Sequence, residues 1–252
     1  MITIRPIPAF TDNYIWYLQQ DREHWVVDPG DAKPVIQSLG DARLSGILLT
    51  HHHFDHTGGV KALKAKYDCE VYGPGSIEGV TTPLTDGDRF SLMGRDWTVL
   101  AVPGHTLDHI ALVLDGQDGR HLFCGDTLFA GGCGRLFEGT PEQMHDSLSR
   151  LASLPRDTKV YCAHEYTLAN LAFAKAAEPR NPALDERIEE ARAARAKDHP
   201  TLPSTIGEEL QTNPFLRTQS AEIRSQSAAQ GANPEGSAVE IFATLRHWKD
   251  TF

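Results

Sequence analysis

The chain has 252 residues, 40% of them hydrophobic and 23% charged, and a formal net charge of −10 at pH 7. This length suits one large domain or a domain with an appendage. The negative charge argues against a nucleic-acid partner, because proteins that hold the phosphate backbone usually carry a basic track. We see neither a secretory leader nor an apolar run approaching 18 residues. We therefore expect a cytoplasmic protein with no membrane partner.

The first part of the chain carries short apolar runs bounded by Gly, Pro and Asp, which are typical of strands. The predicted strands are 2–4, 14–18, 25–27, 47–50, 70–72, 97–102, 110–114, 120–124 and 159–162. Predicted helices intervene at 33–39, 60–67 and 141–151. This part is predicted to be a domain of strands and helices over residues 1–167.

From about residue 168 the composition changes to Ala, Glu and Arg, without a convincing strand. Helices are predicted at 167–177, 182–198 and 221–229. Asn181 and Pro182 form a favourable cap and first-turn pair, and Thr205 with Glu208 matches a capping box. Residues 168–252 are therefore predicted to form a second, helical domain.

The chain has four cysteines without a Cys-x-x-Cys pair, namely Cys69, Cys124, Cys133 and Cys162. A disulfide framework is therefore not expected, which agrees with a reducing compartment. Cys124 and Cys162 lie in apolar runs and are predicted to be core residues. Cys133 is nearer to the candidate site described below, where a nucleophilic cysteine is the minority interpretation.

The segment 51–56 reads His-His-His-Phe-Asp-His and directly follows the apolar run 46–50. A His-rich tag would lie at a terminus and would not be interrupted by Phe and Asp. In extended backbone, alternate side chains point the same way, so His51 and His53 can converge on one ion. Asp55 and His56 can then turn toward a second ion.

Three further candidate ligands follow predicted strands in the same way: His105, Asp126 and His164. A single His at a strand end is more often structural, but three such residues in the same setting favour a metal site. The count suits two ions, with three imidazoles from His51, His53 and His105 at one of them. The second would take Asp55, His56 and His164, and Asp126 would bridge the two ions.

Two ions about 3.5–4 Å apart can share a water, lower its pKa toward neutrality and hold the hydroxide as a nucleophile. This arrangement predicts hydrolysis, with Asp126 bridging and orienting and Asp55 ligating in the catalytic centre. Imidazole with carboxylate suits Zn2+ first, although Fe or Mn is compatible with the same ligands. His52 and His109 lie beside ligands in the sequence and are interpreted as residues that orient them.

The ligand pattern resembles that of the metallo-β-lactamase superfamily. Segments 132–140, 164–167, 213–217 and 245–250 are similar, within it, to the glyoxalase II (hydroxyacylglutathione hydrolase) family. The resemblance implies an α/β fold, the αββα sandwich, followed by an all-helical domain that binds glutathione. It also implies hydrolysis of S-D-lactoylglutathione to glutathione and D-lactate, the second step of methylglyoxal detoxification, by a monomer.

The resemblance further implies a set of substrate-binding residues, which are Arg135, Phe137, Tyr166, Arg246 and Lys249. Cationic side chains among them can pair with the carboxylates of the tripeptide. Arg135 departs from the Lys of some relatives and changes the contact geometry. Phe137 departs from their Tyr and removes one hydroxyl contact.

Two alternative functions remain open at this point. One is an enzyme similar to a persulfide dioxygenase with a single iron, against which the helical tail and its Arg246-x-x-Lys249 ending argue. The other is a non-catalytic metal-binding or RNA-processing adaptor on the same fold, against which the complete ligand set argues.

Overall fold

The computed structural model of the protein describes residues 2–117 and 119–252. It divides into two compact units. Unit 1 comprises Met1–Ala101, Asp108–Gly125 and Tyr161–His164. Unit 2 comprises Val102–Leu107, Asp126–Val160 and Glu165–Phe252. In the described part of the chain, no helix is long and apolar enough to cross a membrane.

The first sheet of unit 1 has six strands in chain order. They are β1 (Thr3–Ala9), β2 (Asn13–Gln20), β3 (Glu23–Val27), β4 (Gly46–Leu48), β5 (Glu70–Gly73) and β6 (Thr82–Pro83). The β1–β2 and β2–β3 pairs are antiparallel, and the pairs from β3 to β6 are parallel. Helices α1 (Ala32–Leu39) and α3 (Val60–Tyr67) bury Val35 and Leu63 in the same apolar cluster as Val26 and Ile47 of the sheet.

The second sheet of unit 1 runs in the order β13-β10-β9-β8-β7. Its strands are β7 (Arg89–Leu92), β8 (Arg95–Ala101), β9 (Ile110–Gly116), β10 (Gly119–Gly125) and the end of β13 (Lys159–Cys162). Aromatic pairs join the two sheets: the ring centroids of Trp16 and Tyr161 lie 4.8 Å apart, and those of Tyr72 and Phe90 lie 5.4 Å apart. Trp16 and Tyr161 are buried, and rings of this size bury a large apolar area in a core.

Unit 2 contains a small hairpin, β11 (Leu128–Phe129) and β12 (Gly132–Cys133), and helix α4 (Pro141–Ala152). Its other helices are α5 (Thr167–Ala177), α6 (Pro182–Arg195), α7 (Ile206–Thr212), a 3-10 turn (Pro214–Leu216), α8 (Ala221–Ala229) and α9 (Ala238–Thr251). The rings of Phe173, Phe215 and Phe242 pack in sequence at 5.8 and 5.6 Å and form part of its core.

The predicted strands and helices are all present, with ends that shift by a few residues. Asn181 caps α6 as predicted, accepting hydrogen bonds from the backbone of Ala183 and Leu184. Several elements have no predicted counterpart: the short strands β6, β7, β11 and β12, the 3-10 turn, the short helix α2 (Phe54–Thr57), helix α9, and the two-residue strand β14 (Ser204–Thr205), which pairs with residues 159–160. Of α7, only the cap at its start was predicted. We predicted no strand after residue 168, and β14 was missed because a two-residue strand has no periodicity in the sequence.

Candidate metal centre

The segment that carries the first ligands is fixed by Asp28, which directly follows β3 and is buried. Its carboxylate accepts hydrogen bonds from the Thr50 backbone N–H at 2.8 Å and from the Thr50 hydroxyl at 2.7 Å. Gly30 allows the chain to pass at this point, because a Cβ there would lie 1.8 Å from the Asp55 carbonyl oxygen. The hydrogen bonds of Asp28 and the close approach at Gly30 therefore fix the path of residues 50–55.

His51 and His53 lie beyond the end of β4 and face each other. Nε2 of His51 is 3.2 Å from Nδ1 of His53, and Nδ1 of His51 is 3.1 Å from the Thr50 hydroxyl. The imidazole of His109 stacks on that of His51, with centroids 4.5 Å apart, and its Nδ1 donates to the Ile110 carbonyl. The interpretation of His109 as an orienting residue agrees with this contact.

Asp55, His56 and His164 form a second group in unit 1, with one donor atom from each lying within 4.8 Å of the others. Asp55 and His56 lie on α2, and His164 lies two residues after β13. Oδ2 of Asp55 is 3.4 Å from Nε2 of His56 and 3.5 Å from Nε2 of His164. The Asn13 amide donates to the same oxygen at 3.0 Å and fixes its direction.

Carboxylates determine which nitrogen of these two imidazoles faces the group. Asp28 accepts a hydrogen bond from Nδ1 of His56 at 3.1 Å, and Asp12 accepts one from Nδ1 of His164 at 2.8 Å. A carboxylate that accepts from Nδ1 leaves the lone pair on Nε2, the atom that faces Asp55. Both imidazoles are thus held in the tautomer that a metal ion requires.

His105 and Asp126 come together in unit 2, where Nε2 of His105 is 3.4 Å from Oδ2 of Asp126. Nδ1 of His105 donates to the Arg135 carbonyl at 2.8 Å, so Nε2 again carries the lone pair. Gly134 is required between them, because a Cβ there would lie 2.0 Å from the Asp126 carbonyl oxygen and 3.1 Å from Nδ1 of His105.

The donor set fits a divalent metal ion. Buried imidazoles with their outer nitrogens held by carboxylates or carbonyls, together with carboxylate oxygens, are the ligands that zinc, iron and manganese take in proteins. Asp28, Asp12 and Asn13 were missed by the sequence reasoning. Asp28 follows a strand as the other candidates do, so the same signal applied to residue 28 would have found it. Asp12 and Asn13 lie in the β1–β2 connection and give no such signal.

His52 differs from its neighbours because it is exposed and its Nδ1 bonds to Asp108 at 3.0 Å. Its ring contacts that of His53 edge-on, with centroids 5.1 Å apart. A role in orienting His53 through this ring contact stays a prediction.

The three predicted cationic contacts gather around Asp250 in unit 2. Oδ1 of Asp250 accepts from the Arg246 guanidinium at 2.9 Å and lies 3.6 Å from Nε of Arg135. The Lys249 ammonium lies over the Phe173 ring at 5.6 Å from its centroid. Burial, and then the charges of Arg246 and Arg135, lower the pKa of Lys249. Three cations around one carboxylate leave a positive field that suits an anionic group.

Arg246 differs from the other two cations because only 5% of it is exposed. Its guanidinium also donates to the Cys133 carbonyl at 2.9 Å and lies 3.6 Å from the Cys133 sulfur. Burial raises the pKa of the Cys133 thiol to about 11, despite the nearby Arg246. The thiol stays protonated at neutral pH, which argues against Cys133 as a nucleophile.

The two predicted aromatic contacts are accessible: Phe137 is 64% exposed and Tyr166 is 37% exposed. The Phe137 ring packs edge-on against His105, with centroids 5.2 Å apart, and the Tyr166 ring packs in the same way against Phe129 at 5.4 Å. All four cysteines are free and buried, and Cys124 and Cys162 are core residues as predicted.

Comparison with known proteins agrees with this geometry. The family model described as the metallo-beta-lactamase superfamily matches residues 9–164, and that described as the hydroxyacylglutathione hydrolase C-terminus matches residues 165–252. A curated relative from Chromohalobacter salexigens, named hydroxyacylglutathione hydrolase, is 57% identical over 258 residues and 100% of both chains.

Two solved structures share the fold. ETHE1 from Myxococcus xanthus has a TM-score of 0.66 at 23% identity, covering 98% of this chain and 91% of that one. TTHA1623 in a di-iron-bound form has a TM-score of 0.59 at 26% identity, covering 84% of this chain and 100% of that one. The predicted fold class, the αββα sandwich with a helical C-terminal domain, is confirmed. The chain belongs to the metallo-β-lactamase superfamily and, within it, to the hydroxyacylglutathione hydrolase family.

Proposed function

We propose that this protein hydrolyses S-D-lactoylglutathione to glutathione and D-lactate, and thus carries out the second step of methylglyoxal detoxification. The observation that carries the proposal is full-length identity of 57% to a relative named for this reaction, supported by groups of His and Asp donor atoms that could hold a metal ion. Matches to the superfamily alone would support only a metal-binding protein of this fold.

We propose two divalent metal ions per chain. One would take His51, His53 and His105, the other would take Asp55, His56 and His164, and Asp126 would bridge them. Zn2+ suits this donor set best, and Fe or Mn suits it as well. The di-iron-bound form of TTHA1623 supports two ions on this fold.

Two ions in such a site supply an activated water near neutral pH and polarise a carbonyl oxygen. The chain's own residues supply orientation. Asn13 holds Oδ2 of Asp55 at 3.0 Å, and Asp12 and Asp28 hold the imidazoles of His164 and His56. Because these groups are fixed before substrate arrives, little reorganisation is needed during the reaction.

The departing thiolate needs no general acid. An ordinary thiol has a pKa of about 8.5, far below that of an amine released from an amide, so the sulfur can leave as the anion. This property distinguishes thioester from amide hydrolysis at the same centre.

We propose that residues 168–252 form the substrate-binding domain and residues 1–167 the catalytic domain. Arg135, Arg246 and Lys249 would attract the carboxylates of glutathione, with Phe137 and Tyr166 packing against the tripeptide. The positive field around Asp250 supports this assignment. The substitution of Arg for Lys at 135 allows a bidentate contact with a carboxylate.

We further propose a cytoplasmic monomer without a nucleic-acid or membrane partner. Four free, buried cysteines agree with a reducing compartment, and the net charge of −10 disfavours phosphate backbones.

The experiment that tests the function compares two substrates with the purified, metal-loaded protein. S-D-lactoylglutathione should be hydrolysed with saturation, and a small acetyl thioester that lacks the tripeptide should be hydrolysed with a much lower kcat/KM. Equal kcat/KM values for the two would refute glutathione recognition. A stable iron-dependent uptake of O2 with no hydrolysis would instead support the dioxygenase alternative.

A further inference from the structure

The β11–β12 hairpin in unit 2 is held by side chains that come from residues 165–252. The Asn213 amide donates to the carbonyls of Phe129 at 3.2 Å and of Gly132 at 2.9 Å. The Asn170 amide donates to the Ala130 carbonyl at 3.2 Å. These amides and their acceptors are all buried. The neighbouring residues are bonded too: Glu209 accepts from the Gly131 N–H at 2.9 Å, and Arg246 donates to the Cys133 carbonyl.

Each end of this hairpin is connected to a candidate metal ligand, one through the chain and the other through a hydrogen bond. At its start, Asp126 lies two residues before β11. At its end, the Gly134 N–H donates to the Thr127 carbonyl at 3.2 Å, and the Arg135 carbonyl accepts from Nδ1 of His105. A shift of the hairpin would therefore move the Asp126 backbone and the carbonyl that fixes the tautomer of His105.

Glu209 is the central anchor, since none of its surface is exposed. Its Oε2 accepts from the Gly131 N–H and from the Asn213 amide, both at 2.9 Å. Its Oε1 accepts from Arg187 and from the Ser204 hydroxyl, both at 2.5 Å. An ionised carboxylate has about four acceptor positions, and all are used here. The carboxylate thus bonds to the hairpin directly at Gly131. It also orients the Asn213 amide, which bonds to the hairpin carbonyls.

We propose that Glu209 is a positioning residue for the metal ligands Asp126 and His105, acting through the β11–β12 hairpin. The inference rests on the proposed metal-dependent function, but it assigns to the helical segment a role beyond substrate binding. An amide in place of the carboxylate would turn one donor toward other donors. The side chain at position 209 would then lose either its bond to the Gly131 N–H or its buried bond to Arg187.

The chain offers a matched control in Glu178, which is 4% exposed and lies in the same segment. Its carboxylate also accepts four hydrogen bonds, from the Ser220 hydroxyl, the Asn181 amide and two nitrogens of Arg217. None of these partners belongs to the hairpin. Glu178→Gln should therefore disturb a buried carboxylate of the same kind without moving the metal ligands.

The test measures the metal affinity of wild-type protein, Glu209→Gln and Glu178→Gln, each metal-free full-length chain being titrated with Zn2+ against a chelator. We expect Glu209→Gln to bind Zn2+ at least about tenfold more weakly, as is common when residues that orient ligands are changed. Glu178→Gln should keep wild-type affinity although its thermal unfolding temperature also falls. Spectra of the Co2+-substituted proteins should change for Glu209→Gln alone.

Equal Zn2+ affinity in Glu209→Gln and wild-type protein would overturn the proposal, and so would equal losses in both variants. If Glu209→Gln does not fold, Glu209→Asp decides instead, because it keeps the charge but draws the carboxylate away from the Gly131 N–H; weaker binding is expected and unchanged binding would contradict the proposal. These measurements use no thioester. A wild-type protein that binds Zn2+ but does not hydrolyse the glutathione thioester would refute the proposed function and leave this inference to the affinity data.

Discussion

The candidate metal ligands and the cationic cluster around Asp250 differ in how their side chains are held. His56, His105 and His164 are buried, and each has its outer nitrogen fixed by a carboxylate or a carbonyl. In the cationic cluster, the Arg135 side chain is 64% exposed and shares one oxygen of Asp250 with Arg246. The candidate ligands are preorganised, whereas the Arg135 and Asp250 side chains are exposed, so Arg135 can exchange its contact with Asp250 for one with an external carboxylate.

This difference teaches what each region contributes to the reaction. A fixed ligand set stabilises the developing charge of a transition state, so its loss should appear mainly in kcat. Remote ionic contacts act about equally on bound substrate and transition state, so their loss should appear mainly in KM. Variants in the two regions should therefore separate along these two constants.

The largest expected effect is that of Asp126→Ala in the metal centre. Removal of the proposed bridge should lower kcat by roughly a thousandfold, about 4 kcal/mol of transition-state stabilisation. Steady-state kinetics with S-D-lactoylglutathione measures the effect, and Asp146→Ala is the control because its side chain is 78% exposed. Near-normal turnover with the metal content unchanged would show that Asp126 is misassigned.

The candidate ligands could be proposed from the sequence because their signals are local. The segment 51–56 concentrates four donors after an apolar run, and the others follow strands whose periodicity is readable. The orientation of His164 was not accessible, because Asp12 lies 152 positions away along the chain. The burial of Arg246 was missed for a related reason. A basic residue in a polar segment is expected at the surface, and the packing of its helix that buries it is not visible in the sequence.

A smaller but definite loss is expected for Asp12→Ala, which removes the acceptor for Nδ1 of His164. Loss of such an orienting carboxylate typically weakens metal binding or activity by about 10- to 100-fold. Metal content after dialysis against a chelator measures it, with Asp41→Ala, an exposed aspartate, as the control. If Asp12→Ala retains metal as wild-type protein does, the carboxylate does not orient the ligand.

In the cationic cluster, Lys249→Ala should raise KM for S-D-lactoylglutathione about tenfold or more with little change in kcat. Arg246→Ala should raise KM and also weaken metal binding, because its guanidinium holds the Cys133 carbonyl as well. The double variant, which combines Arg246→Ala with Lys249→Ala, should reduce hydrolysis of a small thioester less than that of the glutathione thioester. A double variant with wild-type KM would make the cluster structural.

The smallest expected effect is on the pH dependence of KM. Burial and the neighbouring Arg246 and Arg135 lower the pKa of Lys249, while Asp250 and Cys133 oppose the shift. The side chain therefore loses its charge at a lower pH than an ordinary lysine. As pH rises through that lowered pKa, attraction for the substrate carboxylate falls, so KM should rise earlier than it does for Lys249→Arg, which keeps its charge. Identical KM profiles for the two proteins would contradict this.

The measurement that tests the central claim most directly is a metal titration of the metal-free protein, with the rate of S-D-lactoylglutathione hydrolysis recorded at each addition. The account predicts that activity rises until two equivalents of Zn2+ are bound per chain and then stays constant. Full activity after one equivalent would contradict the two-metal centre, and no hydrolysis with two ions bound would contradict the proposed reaction.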